Sequence, residues 1–166
     1  TQEAAEQIVA ACPHRYVGVF VDEDIKKVTD YVNNLQLDAV QLHGEESQTY
    51  INQLRAEIPA SCKIWKAKGV VDHIPALDES SVDYFLLDCK ADGQSGGTGK
   101  QFDWRLLDGL PDKHNVILAG GLRVSNIATA AASGVVSVDI NSGVESAPGI
   151  KDANKLREAF AALREY

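Results

Sequence analysis

Asp88 ends the run Asp83-Tyr84-Phe85-Leu86-Leu87. A carboxyl group at the end of so apolar a stretch is partly desolvated, which favours its protonated form and suits a general acid. A second reading has Asp88 fixing the glycine-rich loop after it by accepting backbone N–H bonds, and composition does not separate the two. Two further runs end in small and polar residues: Val116 to Leu118 leads into Ala119-Gly120-Gly121, and Ser137 to Ile140 leads into Asn141-Ser142-Gly143. Glycine there lets the chain turn at positive φ and bring N–H groups against an anion. Strand alternation places Gln41 with His43 on one side of their strand, and Asp139 with Asn141 on one side of theirs.

These residues are carried by short β-branched and aliphatic runs at 16 to 21, 39 to 43, 63 to 67, 83 to 88, 115 to 119 and 136 to 141, each expected to be a buried strand. Six helices are expected to follow them. Asp22 to Asp24 offers acceptors for a helix reaching about Leu35, and Glu45 and Glu46 suit the positive start of the helix carrying Tyr50, Ile51 and Leu54. A weaker segment runs from Val70 to Leu77. Phe102-Asp103-Trp104 starts a short helix, Ser125 caps an alanine-rich one ended by Gly134, and Lys151 to Arg164 closes the chain. A small-residue helix, Glu3 to Ala11, comes before the first strand and stops at Pro13.

Alternation of this kind means parallel strands with crossover helices. Phosphate held by the loops after two consecutive final strands is the pattern of a (β/α)8 barrel. Such a barrel takes about 250 residues, and about 200 at the least, whereas this chain has 166. A six-strand open doubly wound sheet is the other solution, but it concentrates its ligand at one switch point, while here polar groups end nearly every strand. The loop from Cys89 to Gln101, with Gly93, Gly96, Gly97 and Gly99, is long for a compact repeat and reads as functional. With no linker, charge block or low-complexity tract, residues 1–166 read as one domain.

A net charge of −8, from 24 acids and 16 bases without cationic clusters, argues against nucleic acid or an anionic membrane as partner. Bound phosphate would have to rely on local backbone donors. Cys12, Cys62 and Cys89 are odd in number and widely spaced, so neither a disulfide framework nor a zinc site is indicated and a cytoplasmic setting is expected. There is no apolar run long enough to cross a membrane as a helix. The chain contains no methionine. Removal of an initiator before Thr1 explains that absence, and so does a longer parent chain.

Taken together, Val17-Gly18-Val19-Phe20-Val21, Ala39-Val40-Gln41-Leu42-His43-Gly44, Leu86-Leu87-Asp88, Gly96-Gly97-Thr98-Gly99-Lys100 with Phe102-Asp103-Trp104, Leu118-Ala119-Gly120-Gly121-Leu122, and Val138-Asp139 through Ser142-Gly143-Val144-Glu145 to Pro148-Gly149-Ile150-Lys151-Asp152 resemble phosphoribosylanthranilate isomerase. Each motif alone is weak, and six in order over the whole chain are specific. The resemblance implies a TIM barrel of which this chain supplies strands three to eight. It also implies an Amadori rearrangement of N-(5-phosphoribosyl)anthranilate in tryptophan biosynthesis, without metal or redox cofactor. By that resemblance Asp88 protonates the ring oxygen, Gly120, Gly121, Ser142 and Gly143 hold phosphate, and Gln41, His43 and Gly97 belong to the substrate site. His43 either lines the substrate's aromatic end or is a hydrogen-bonded wall residue. Asp139 either orients a catalytic group or satisfies buried donors.

The family's first-strand Lys-x-Cys-Gly motif, whose cysteine is the general base, and its Ser-x-Arg segment have no match in these 166 residues. The expectation is therefore a piece lacking the first βαβ unit and inactive or nearly so alone. Its parent would be a longer polypeptide joined to, or associated with, an indole-3-glycerol-phosphate synthase domain. Open sheet edges at 16 to 21 and 136 to 141 invite self-association. The competing functions are a non-catalytic phosphosugar-binding module and a different phosphate-binding barrel such as a histidine-pathway isomerase. The latter calls for an internal half-barrel repeat, which the sequence lacks.

Overall fold

The structure is a computed structural model that describes residues 2–91, 94–95 and 102–164. It divides into two compact units, one built from the described part of 1–67 with 77–84, the other from 68–76 with the described part of 85–166.

The first unit begins with helix α1 (Gln2–Ala11) and continues through β1 (Val17–Phe20), α2 (Ile25–Leu35), β2 (Ala39–Leu42), α3 (Gln48–Glu57) and β3 (Lys63–Val70). β1 pairs in parallel with β2, Val17 opposite Ala39, and β2 with β3, Ala39 opposite Lys63. All four residues of β2 are buried, as befits a strand flanked by both neighbours. Parallel neighbours need a crossover, and α2 and α3 supply it. α2 starts at Asp24, whose side chain accepts from the Lys27 amide, and ends at Gln36 in the left-handed region, φ 50°. Its Val28, Val32 and Leu35 recur at helical spacing and are buried. Burying each such side chain contributes about 1.5–3 kcal/mol. With Leu37, Val40, Leu42, Ile51, Leu54, Ile58, Cys62 and Ile64 they form one core.

The second unit contains β4 (Tyr84–Ala91), β5 (Gln94–Ser95), a 3-10 helix at Trp104–Gly109, β6 (Val116–Leu118), α4 (Ile127–Ala131), β7 (Ser137–Val138), the hairpin β8 (Glu145–Ala147) and β9 (Ile150–Lys151), and α5 (Ala153–Arg164). β4 and β6 pair in parallel, Phe85 opposite Val116, as do β6 and β7, Ile117 opposite Ser137. β5 is antiparallel to β4. Ile127, Val144 and Ala159 anchor α4 and α5 in a common cluster.

The six expected strands are all present, and helices depart from expectation in two places. No helix forms between Val71 and Asp83, where Pro75 removes a backbone donor in mid-segment. The helix after β4 is a single 3-10 segment hemmed by Gly109 and Pro111. The hairpin at 145–151, turning through Pro148-Gly149 with Gly149 at φ 78°, was not expected, although Pro-Gly is a turn signature. β7 is shorter than the run from 136 to 141 because the chain bends away after Asp139, whose amide still bonds to Leu118 O at 2.8 Å.

Candidate functional site

In the second unit the ends of β4, β6 and β7 come together in one backbone-dominated cluster. Asp88, half-buried in β4, accepts the Cys89 amide on Oδ1 at 2.7 Å. Gly120 follows β6 at φ 80°, and a β-carbon there would lie 2.5 Å from Asp88 Oδ1 and 2.7 Å from Cys89 N. The Asp88 carboxylate therefore stands directly against the Gly120 backbone, and only glycine fits both the dihedral and the gap. Gly121 follows at φ 67°. Its carbonyl accepts from Asn126 Nδ2 at 3.1 Å, and Asn126 Oδ1 accepts the Arg123 amide at 2.8 Å, so one side chain ties the turn shut from both sides.

The loop after β7 is stitched to the loop after β6. Arg123 and Gly143 form a parallel bridge, and a β-carbon on Gly143 would fall 1.8 Å from Leu122 O. The Ser142 carbonyl accepts the Glu145 amide at 3.0 Å, leaving the exposed Ser142 at the bend. Lys151 Nζ donates to Asn141 O at 2.9 Å, to Asn141 Oδ1 and to Glu145 Oε1 at 2.7 Å. The bond to Lys151 holds the Glu145 carboxyl below its ordinary range. Asp139 is exposed at the end of β7. The cluster thus places a carboxyl group beside two glycine-containing turns locked to each other, an arrangement suited to proton transfer next to an anion held by backbone.

In the first unit, Gln41 and His43 lie at the end of β2, with Gln41 Nε2 and His43 Nδ1 2.9 Å apart. Gln41 is buried and His43 half-buried, so the alternation that put them on one side holds. The loop after them is organised by charge. Glu46 Oε1 accepts the amides of Asp22 at 3.0 Å and Gly44 at 3.1 Å, and Glu46 Oε2 meets Lys66 Nζ at 2.6 Å. Lys66 Nζ also donates to Gly44 O at 2.6 Å. Burial opposes ionisation of Glu46, but Lys66 and the backbone donors outweigh it and hold the carboxyl below its usual value. Glu46 is therefore engaged away from the start of α3, where Ser47 caps by accepting the Tyr50 amide. Ser125 likewise yields its expected capping place to Asn126.

Asp88, Gly120, Gly121, Ser142, Gly143 and Asp139 thus fall in one unit, where direct contacts link Asp88 to Gly120 and Gly143 to the Leu122 turn. Gln41 and His43 fall in the other, and Gly97 lies outside the described residues. Cys89 and Cys62 are buried, and Cys12 is exposed beside Pro13. The residues that sequence reasoning missed are Asn126 and the pair Lys66 and Glu46. Lys66 shares strand parity with the buried Ile64, which marks Lys66 alone and says nothing of its partner. Among the described residues no helix is long and apolar enough to cross a membrane.

The model of the N-(5'phosphoribosyl)anthranilate (PRA) isomerase family matches residues 1–162. "Tryptophan biosynthesis protein TrpCF" of Vibrio cholerae is 50% identical over 164 residues, covering 99% of this chain and 34% of that protein. The protein of the same name from Salmonella typhi is 47% identical, with 99% and 35% covered. The chain spans about a third of the length of these curated relatives. The crystal structure of phosphoribosyl anthranilate isomerase from Thermus thermophilus superimposes with a TM-score of 0.80 at 32% identity, over 99% of this chain and 80% of that one. A phosphoribosyl anthranilate isomerase solved in complex with reduced 1-(o-carboxyphenylamino)-1-deoxyribulose 5-phosphate superimposes at 0.74 with 28% identity, over 100% and 80%. The fold is that of the TIM-barrel isomerases, with this chain supplying six parallel strands of an incomplete barrel. The chain belongs to the N-(5'phosphoribosyl)anthranilate (PRA) isomerase family.

Proposed function

We propose that these residues form the isomerase part of a longer tryptophan-biosynthesis polypeptide that also carries an indole-3-glycerol-phosphate synthase domain. Within it they form one domain over 1–166 that converts N-(5-phosphoribosyl)anthranilate to the aminodeoxyribulose phosphate. The fit of the family model to 1–162 and the one-third coverage of the TrpCF relatives support this reading. Asp88 gives its proton to the ribose ring oxygen as the bond from that oxygen to C1 breaks, and the anthranilate nitrogen lone pair moves in to form the C1 Schiff base. A general base then takes the C2 proton, and the resulting enolamine becomes the ketose as C1 gains a proton and the C2 hydroxyl loses one. Gly120, Gly121, Ser142 and Gly143 hold the phosphate, Gln41, His43 and Gly97 belong to the substrate site, and Asp139 orients a catalytic group.

The observation that supports this reading best is the Asp88 carboxyl group packed against the Gly120 backbone. No cysteine of the chain is placed as the base. Cys62 and Cys89 are buried in cores, and Cys12 sits at the end of α1. The 166 residues alone therefore bind substrate but turn it over little, and their activity emerges in the longer polypeptide. Replacing Asp88 with Asn in that polypeptide lowers turnover about 10²- to 10⁴-fold while product-analogue binding persists. Turnover unchanged by Asp88→Asn overturns the assignment.

The partner surface follows from the same layout. β1 is at the end of its sheet, and Val17, Val19 and Val21 are 38%, 59% and 63% exposed. An apolar edge of this kind recruits another strand. Sedimentation of the isolated chain is expected to show concentration-dependent association, and a monomer throughout contradicts it.

A further inference from the structure

The pair Lys66 and Glu46 is the most deeply buried charge in the described part of the first unit. Their side chains are 6% and 1% exposed, yet the proposed reaction gives neither of them a step. A buried pair held only by its own attraction is weak evidence for stability, because desolvation offsets the Coulomb gain. Here the two groups do something more specific, since three of their hydrogen bonds go to the backbone of two strand-end loops. Glu46 takes the Gly44 amide, Lys66 takes the Gly44 carbonyl, and Glu46 also takes the amide of Asp22, the residue held at φ 49° two positions beyond β1. Asp22 Oδ1 returns a bond to the Glu45 amide at 2.7 Å, so the two loops are tied reciprocally.

Gly44 is the residue after His43. The His43 amide is fixed to Phe20 O at 2.8 Å and its ring to Gln41, and the following residue is gripped on both its N–H and C=O by the charged pair. The strand ladder thus holds the His43 backbone, Gln41 meets its ring, and Lys66 with Glu46 hold the residue that follows.

We propose that Lys66 and Glu46 are positioning residues: a buried ion clamp on Gly44 that sets the His43 imidazole for its ligand. The proposal rests on the reading that His43 belongs to the substrate site, and the test separates the two. It compares the unaltered 166-residue chain, the double variant K66M/E46Q and the variant H43A. The double variant removes both charges, while the amide that replaces the Glu46 carboxylate keeps an oxygen for the Asp22 and Gly44 N–H groups. Two readouts are taken: the imidazole resonances of His43 by nuclear magnetic resonance, and the dissociation constant for reduced 1-(o-carboxyphenylamino)-1-deoxyribulose 5-phosphate.

In K66M/E46Q the His43 ring resonances shift and broaden, and the analogue binds about tenfold more weakly. His43 resonances and affinity unchanged in a folded K66M/E46Q overturn the clamp. Affinity unchanged in H43A, with the His43 resonances still displaced in the double variant, overturns the substrate reading and leaves the clamp standing as a device without that ligand. Amide exchange in the unaltered chain decides the matter if the double variant does not fold. Gly44 and Asp22 amides as protected as those of β2 support the clamp, and exchange at the rate of exposed loop amides overturns it.

Discussion

The strand-end loops of the two units differ in what does most of the holding. After β2 in the first unit, the Gly44 loop is fixed by a buried carboxylate and ammonium reaching from residues twenty positions apart. After β6 and β7 in the second, the Gly120 and Gly143 turns are fixed by missing β-carbons, a backbone bridge and one neutral amide side chain, and the charged pair there, Lys151 with Glu145 on Asn141, is far less buried than Lys66 with Glu46. The first arrangement is vulnerable to loss of charge and the second to gain of volume. The difference suits their proposed tasks. A cradle for a phosphate in a chain of net charge −8 must bring backbone close, which excludes side chains. A ring that must point in one direction needs directional, charge-assisted bonds.

Removing one charge should break the first loop most severely. Lys66→Met leaves Glu46 buried without its cation and is expected to cost about 3–5 kcal/mol in urea unfolding. The loss should depend on pH with a definite sign. Because Glu46 has a lower pKa folded than unfolded, the stabilisation it contributes is complete above the ordinary glutamate range and disappears as pH falls through the folded value. Equal stability of Lys66→Met and the unaltered chain at neutral pH would erase the contrast between the loops.

The second loop is probed by volume. Gly143→Ala forces its new methyl against Leu122 O and should cost about 1–3 kcal/mol, with little variation between about pH 4 and pH 7. Asn126→Ala opens the Gly121 turn by removing the side chain that bonds Gly121 O and the Arg123 amide, for roughly 1–2 kcal/mol. The smallest effect is expected at Ser47→Ala, which removes a helix cap beside the charged loop and should cost about 1 kcal/mol. If that loss equalled the one at Lys66, ordinary local capping would explain the first loop as well as the ion clamp does.

The same contrast explains what could be read from sequence. Strands such as Tyr16 to Val21 and Asp83 to Asp88 announce themselves because a run of β-branched and aromatic residues is a local property. Gly120 at the end of its strand is legible for a related reason, since a glycine that follows a buried run lets the chain turn at positive φ, whereas its approach to Asp88 is not, being a contact between two strands. The bond between Lys66 and Glu46 was not, because it joins residues from different strand-end segments and each alone has a plainer explanation. Glu46 stands where a helix-start acid is common, and only its burial reveals the other role. The segment from Val70 to Leu77 misled in the opposite sense, its scattered apolar residues suggesting a turn of helix that Pro75 does not permit.

The strand ends of the second unit are the proposed ligand site. Titrating the isotope-labelled chain with reduced 1-(o-carboxyphenylamino)-1-deoxyribulose 5-phosphate and following backbone amide resonances tests this directly. Saturable shifts concentrated at Asp88, Gly120, Gly121, Ser142 and Gly143 are predicted, and they should be lost in Gly143→Ala. A saturating titration that leaves those five amides unmoved would contradict the account.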